Sequence, residues 1–165
     1  MAKVAVIMGS KSDLNVVKPA VSVLKSFGIE VEVRVISAHR TPEEAHEFAS
    51  TARDKGFEVI ICAAGKAAHL GGVFAASTTL PVIGLPIKTD MMGGLDSLLS
   101  IVQMPSGIPV ATVGVNAGEN AGILAAQILG VKYPEIAEKI AAYKAKMKEK
   151  INSDDIAVQQ ESAEF

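Results

Sequence analysis

The chain has no tryptophan, and aromatic residues make up only 4% of its 165 positions. That scarcity removes the platforms on which single-stranded nucleic-acid modules stack bases. It also leaves the core to Val, Ile, Leu and Ala, which suits a parallel sheet buried on both faces. A single cysteine excludes a disulfide framework. Cys62 lies in an apolar run, and the expectation is a buried, reduced thiol in a cytoplasmic protein. No apolar run approaches the ~20 residues that span a bilayer. The N-terminus enters a strand pattern directly, and no signal peptide is expected. Paired-cysteine and His-x-His spacings are missing, as is the Gly-x-Ser-x-Gly elbow of a serine nucleophile.

What is present describes a folded chain. Hydrophobic residues account for 49% and charged residues for 21%, well away from the composition of disorder. At this length one domain is expected, burying roughly 70% of its unfolded surface without a staple. The formal net charge is −2, but residues 153–165 hold four of the 18 acids (Asp154, Asp155, Glu161, Glu164) and no base. Setting those four aside leaves 14 acids against 16 bases. The body is mildly basic, which fits an anionic small molecule and falls far short of a nucleic-acid footprint. Residues 1–152 are read as one catalytic domain. Residues 153–165 are read as an acidic tail, disordered or covering a surface groove.

Apolar runs alternate with helical patterns. Strands are expected at Lys3–Met8, Ile29–Ile36, Glu58–Ala64, Val82–Pro86 and Pro109–Val115. Helices are expected at Leu14–Phe27 (kinked by Pro19, closed by Gly28), from a Thr41 cap to Lys55, at Val73–Thr78, at Ser97–Gln103 under an Asp96 cap, at Glu119–Leu129 stopped by Gly130, and at Glu135–Ile151. Thr41, Pro42 and Glu44 together read as a capping box. Five β/α units give a doubly wound, flavodoxin-like sheet, a three-layer αβα sandwich. Ligands then sit beyond the carboxyl ends of the strands. Two helices raise subunit contacts. The last helix carries a stripe of Ile136, Ile140, Tyr143, Met147 and Ile151, to pack on its own domain or on a neighbouring subunit. The helix before it carries Ala121, Gly122, Ala125 and Ala126, small residues that permit close helix contact.

Three strand-end loops carry chemistry. Gly9-Ser10-Lys11-Ser12-Asp13 opens a helix: its backbone N–H groups and the Ser10 and Ser12 hydroxyls suit a phosphate, and Asp13 suits sugar hydroxyls. Simple capping by Ser12 or Asp13 is the structural alternative. Ser37-Ala38-His39-Arg40-Thr41-Pro42 offers His39, whose titration range suits proton transfer, beside Arg40, whose fork binds phosphate or carboxylate. The alternative is a loop histidine bonded to backbone. Gly65-Lys66-Ala67-Ala68-His69-Leu70-Gly71-Gly72 lets a planar ring approach the backbone and suits a carboxylate; the alternative is a tight turn with an incidental histidine. His46, inside a helix, reads as a surface residue.

Together these loops, with Ser100-Ile101-Val102-Gln103-Met104-Pro105-x-Gly107-Ile108-Pro109, closely resemble the family of purine-biosynthetic N5-carboxyaminoimidazole ribonucleotide mutases, in order over about residues 3–150. The resemblance implies an αβα sandwich assembled as a homo-octamer with active sites between subunits. It implies an isomerase that moves a carboxylate from N5 of the substrate to C4 of its imidazole, with no metal, nucleotide or redox cofactor. His39 would be the acid/base. Ser10, Ser12, Asp13 and Arg40 would hold the ribose phosphate, with Ser37 and Ala38 beside them. Gly65, Lys66, Ala67, His69 and Leu70 would cradle the imidazole and the migrating carboxylate. Met104 and Pro105 would come from a neighbouring chain.

The family usually has Gly where this chain has Lys66, and Pro where it has Gly71. Related carboxylases take carbon dioxide directly; bacterial members of that branch can carry a basic residue at the Lys66 position, but they read Ala-His-Lys where this chain reads Ala-His-Arg, and they lack Ala-Ala-His-Leu. Direct carboxylation of aminoimidazole ribonucleotide is therefore the second reading. A flavodoxin- or receiver-like binding module is the third, weakened by the absence of acids at Ala63-Ala64-Gly65 and of aromatics in the loops.

Overall fold

Strand and helix alternate along the whole chain. In the computed structural model, which describes all 165 residues, the strands are β1 (Lys3–Met8), β2 (Glu30–Val35), β3 (Val59–Ala64), β4 (Val82–Pro86) and β5 (Ala111–Thr112). The helices are α1 (Leu14–Ser26), α2 (Pro42–Thr51), α3 (Leu70–Ser77), α4 (Leu95–Val102), α5 (Gly118–Gly130) and α6 (Pro134–Ser162). All neighbouring strands are parallel, in the flavodoxin-like order β2-β1-β3-β4-β5. No helix is long and apolar enough to cross a membrane.

The continuous apolar runs explain why β1, β3 and β4 are central. Every residue of β3 and β4 is buried, as a strand covered on both faces requires. Val4, Val6, Val59, Ile61, Ile83 and Leu85 face α1, α5 and α6. Ala5, Ile7, Ile60 and Cys62 face α2, α3 and Ile101 of α4. Full burial pushes the Cys62 thiol upward, so it is a core residue without nucleophilic character. β2 forms one edge, and Glu30, Glu32 and Arg34 on one of its faces pair with each other and Lys3. Charge on an edge strand discourages pairing with other chains.

The expected end of α1 at Gly28 holds for a backbone reason, whereas α2 stops at Thr51, short of the expected Lys55. Gly28 (φ 79°) and Gly56 (φ 82°) are left-handed. After α1 the Ile29 N–H bonds to Leu24 O and the Gly28 N–H to Lys25 O, the paired bonds of a Schellman ending. α5 also ends at Gly130 as expected, with no left-handed cap: Val131 after it keeps right-handed geometry. Pro19 sits within α1 as its sixth residue, and the helix continues through it.

Other expectations need correcting. Thr41 does not cap α2, and no capping box forms; its hydroxyl donates to Ser37 O and accepts from Ser37 N–H, both at 3.1 Å. Gly94 (φ 104°), not Asp96, precedes α4, and Asp96 in the first turn accepts from the Thr89 hydroxyl. α3 starts at Leu70, with Gly71 and Gly72 inside it. β5 pairs over Ala111–Thr112 only: Pro109 has no N–H to give an edge ladder. The small residues of α5 serve the chain's own packing, because a Cβ on Gly118 would lie 2.0 Å from Val16 O of α1, and one on Gly122 would lie 2.5 Å from Val23 Cγ1. Finally, α6 continues past Ile151 to Ser162, so helix occupies most of the segment read as a tail.

Candidate active site

The carboxyl ends of β1 to β4 open on one cleft of about 630 Å³. Its walls are the expected loops. Ser10, Ser12 and Asp13 come from the β1 end, Ser37, Ala38, His39 and Arg40 from the β2 end, and Gly65, Lys66, Ala67, His69 and Leu70 from the β3 end. A parallel sheet places all these ends on the same side, which is why loops far apart in sequence meet here.

At the β1 end the chain makes a 3-10 turn, Lys11–Asp13, before α1. The Ser10 Oγ accepts from the Ser12 N–H (3.3 Å) and from the Ser12 Oγ–H (2.9 Å). Ser12 Oγ also lies 3.1 Å from Asp13 Oδ1. Burial pushes the Asp13 carboxyl above its ordinary value, against opposing hydrogen bonds from Ser12 and the Ser10 backbone. Two hydroxyls and a helix start supply donors for an anion.

Arg40 ties the second loop to the first. Its Nη2 donates to Gly9 O at 2.9 Å, and its Nε (3.4 Å) and backbone N–H (3.2 Å) point to Ser37 Oγ. The guanidinium is thus pinned beside the Ser10–Asp13 turn, where its charge complements a phosphate. The Thr41 hydroxyl, released from capping, closes the Ser37–Thr41 loop on itself. That closure fixes the direction in which His39 leaves the backbone.

His39 reaches across to the third loop. Its Nε2 lies 2.9 Å from Nδ1 of His69, and the rings meet edge to face at 84°. Both rings are exposed to the cleft. His69 stands at the threshold of α3, its backbone already helical. Lys66 is one of three non-glycine residues with positive φ, at 57°. Its carbonyl accepts from the Ser100 hydroxyl at 3.4 Å, and Ser100 Oγ also donates to Asp96 O at 2.7 Å. Ser100 of α4 therefore ties that helix to the Lys66 loop.

Met104 and Pro105 do not line this cleft. Met104 lies on Gly72 of α3, where a Cβ would be 3.2 Å from its Sδ and Cε, and Pro105 is exposed. Conversely, Gly9, expected only as part of its loop, and Ala64, Ile87, Lys88, Thr89 and Asp90 line the cleft without having been singled out. The last four follow β4, so the rule of strand ends pointed to their segment, but no motif singled out its residues. Their loop is fastened at both sides: Lys88 N–H donates to Asn116 Oδ1 at 2.8 Å, and Thr89 bonds Asp96. His46 is outside the site, exposed, with its Nδ1 3.2 Å from Ser77 Oγ.

Residues 3–150 match the protein family described as AIR carboxylase. The chain belongs to that family. It is 58% identical over 151 residues to the N5-carboxyaminoimidazole ribonucleotide mutase of Thermotoga maritima, covering 92% of this chain and 88% of that one. It is 61% identical over 148 residues to the mutase of the same name from Pyrococcus abyssi, covering 90% of this chain and 85% of the relative. Among solved structures, PurE of Treponema denticola superposes with a TM-score of 0.84 at 32% identity, over 94% of this chain and 97% of that one. Within an AIR carboxylase family fold, the cleft brings together the Ser10 and Ser12 hydroxyls, Arg40, two bonded histidines, Lys66 and Lys88.

Proposed function

We propose that this chain moves the carboxylate of N5-carboxyaminoimidazole ribonucleotide from N5 to C4, giving 4-carboxy-5-aminoimidazole ribonucleotide in purine biosynthesis. The observation that carries the reading is the meeting of the Ser10–Asp13, Ser37–Arg40 and Gly65–Leu70 loops in one cleft. The high identity to named mutases supports it.

The residues take complementary parts. Ser10, Ser12 and Arg40 hold the phosphate, and Asp13 accepts from ribose hydroxyls. Ser37 and Ala38 shape the wall between them. Gly65, Ala67 and Leu70 flank the flat imidazole, with Lys66 turned to the carboxylate. His39 works as acid and then base. As it protonates N5, the N5–carboxylate bond breaks and carbon dioxide is released into the cleft. C4 then attacks that carbon dioxide, forming the new C–C bond, and neutral His39 takes the C4 proton so that the ring regains aromaticity. The proton count closes on one histidine. Confinement of the carbon dioxide beside C4 supplies a large part of the acceleration. His69, bonded to His39, holds the ring in one tautomer and orientation.

The same reading makes the enzyme a cytoplasmic homo-oligomer, an octamer by resemblance. Residues 1–152 are its catalytic unit, and Met104 and Pro105 complete a neighbour's site. Two observations support subunit contact near the cleft. Met104 and Pro105 lie off their own chain's cleft, and Met91 (63% exposed), Met92 (76%), Leu99 (44%) and Val102 (48%) leave apolar surface between β4 and Gln103.

The deciding assay supplies purified protein with the N5-carboxylated substrate and, separately, with aminoimidazole ribonucleotide plus bicarbonate. Product from the first at low enzyme, far faster than from the second, is expected. Product from the second alone would assign direct carboxylation instead.

A further inference from the structure

Three successive residues after β4, namely Ile87, Lys88 and Thr89, line the cleft. Each is held by a different polar side chain from a later part of the chain. The Ser97 hydroxyl donates to Ile87 O at 2.7 Å, with Gly94 O also near, at 2.9 Å. The Lys88 N–H donates to Asn116 Oδ1 at 2.8 Å, and the Thr89 hydroxyl donates to Asp96 Oδ1. Ser97 is the one polar side chain among the buried residues, and a buried hydroxyl is costly unless it is bonded. Asn116 grips the segment twice, because its own N–H donates to Pro86 O at 2.8 Å. It does so at φ 57°, a left-handed conformation that asparagine adopts more readily than most residues. Gly94 brings the start of α4 against the same backbone: a Cβ there would lie 3.1 Å from Lys88 Cα. This frame fixes the point from which the Lys88 side chain leaves the wall.

Charge gives that side chain its task. The cations of the chain's ion pairs are Lys3, Arg34 and Lys132, so the ammonium groups of Lys66 and Lys88 have no acidic partner. Their two loops touch: a Cβ on Gly65 would lie 3.4 Å from Ile87 Cβ and 3.6 Å from Thr89 Cγ2. In the sheet, β4 lies on the side of β3 away from β1 and β2, about 10 Å from β1 at the usual strand spacing. Lys88 therefore belongs to the loop beside Lys66, whereas Ser10, Ser12 and Arg40 follow the strands on the other side. We propose that Lys88 binds the carboxylate of the substrate and that Asn116 is the residue that positions it. The inference rests on the carboxylate-transfer reading of the cleft. A carboxylate offers two oxygens with about four acceptor sites, and in this reaction it occupies two ring positions in turn, so Lys66 alone does not satisfy it. Asp90, which also lines the cleft, opposes an anion; the attraction comes from the two lysines.

The test is calorimetry on the full-length chain with two ligands, 4-carboxy-5-aminoimidazole ribonucleotide and aminoimidazole ribonucleotide. They share phosphate, ribose and ring, and differ by the carboxylate. Lys88→Met keeps the reach of an exposed side chain and removes its charge. It should weaken the carboxylated ligand by about tenfold, the loss of one charge-assisted hydrogen bond, and leave the other within about twofold. Asn116→Gly keeps the left-handed backbone and deletes Oδ1. It should give the same selective loss at about threefold, since only a neutral tether has gone. Asn116→Asp retains an acceptor oxygen and should recover the affinity. No change with Lys88→Met, or equal weakening of both ligands, overturns the assignment of Lys88. Equal weakening by Asn116→Gly, or none, overturns the positioning role of Asn116. If the unmodified chain binds neither ribonucleotide, the reading of the cleft fails and this inference falls with it. That outcome is recognised from the parent protein alone, before any variant is compared.

Discussion

The Nε2 atom of His39 and the Nδ1 atom of His69 stand 2.9 Å apart, joining the loop after β2 to the loop at the start of α3. A contact of that length needs one nitrogen to donate and the other to accept. The pair therefore couples the tautomer of one ring to that of the other.

Substitution His39→Asn preserves the shape of the cleft and removes the titrating ring. Nucleotide binding, followed by calorimetry, should stay within a few-fold. Turnover should fall by roughly 10²–10⁴, the usual share of general acid–base catalysis. Near-normal turnover would remove His39 from the proposed mechanism.

His69 is tested by contrast. Asn at this position can still donate and accept a hydrogen bond, whereas Leu can do neither. His69→Asn should therefore keep several times more kcat than His69→Leu, with smaller differences in KM between the two. Equal kcat for both variants would mean that the bond to His39 does not matter to the chemistry.

Much of this architecture is legible in the sequence, and the residues show why. The runs through Val4–Val6, Val59–Cys62 and Val82–Leu85 are apolar at every position, which marks central parallel strands. Gly28 announces the end of α1 because left-handed backbone is costly for any other residue. What escaped was decided by tertiary partners. Thr41 has the composition of a cap, but the Ser37 backbone competes for its hydroxyl and wins. Lys88, Thr89 and Asp90 enter the cleft because Asn116 and Asp96, 28 and 7 residues downstream of their partners, pull that loop into place. No local pattern encodes such a tether.

Lys66 combines strain with position. A side chain at φ 57° is less stable than glycine there by about 0.5–1 kcal/mol. Lys66→Gly should therefore raise stability by that amount in urea unfolding. It should also raise KM for the carboxylated substrate by about tenfold, the loss of one charge-assisted contact. A stabilised variant with unchanged KM would place the Lys66 ammonium in solvent.

Asp13 gives a pH signature. Burial raises its carboxyl above the ordinary 3.8, so the folded state binds that proton more tightly than the unfolded one. Its contribution to stability is best below 3.8 and worsens as pH rises to the raised folded value. Above that window the buried carboxylate is a standing cost. Asp13→Asn should raise Tm at pH 7, the gain should vanish toward pH 3, and KM for the ribonucleotide should rise at neutral pH. A lower Tm at pH 7 would show that the hydrogen bonds to Ser12 and Ser10 outweigh burial.

Gly118 links the helix layer to the site. A methyl group there would sit 2.0 Å from the Val16 carbonyl oxygen, a backbone atom that cannot rotate away. Gly118→Ala must push α5 from α1, at a cost of about 2–3 kcal/mol. Because α1 begins directly after the Ser10–Asp13 turn, the shift should reach the phosphate end, so KM rises together with the loss of stability. Gly130→Ala is the matched control. Its nearest neighbours would be 3.5 Å away, an ordinary contact, and alanine is the better helix former by up to about 1 kcal/mol. Urea unfolding should show the first variant destabilised and the second unchanged or improved. Equal stability of the two would mean that α1 and α5 are not in contact at Gly118.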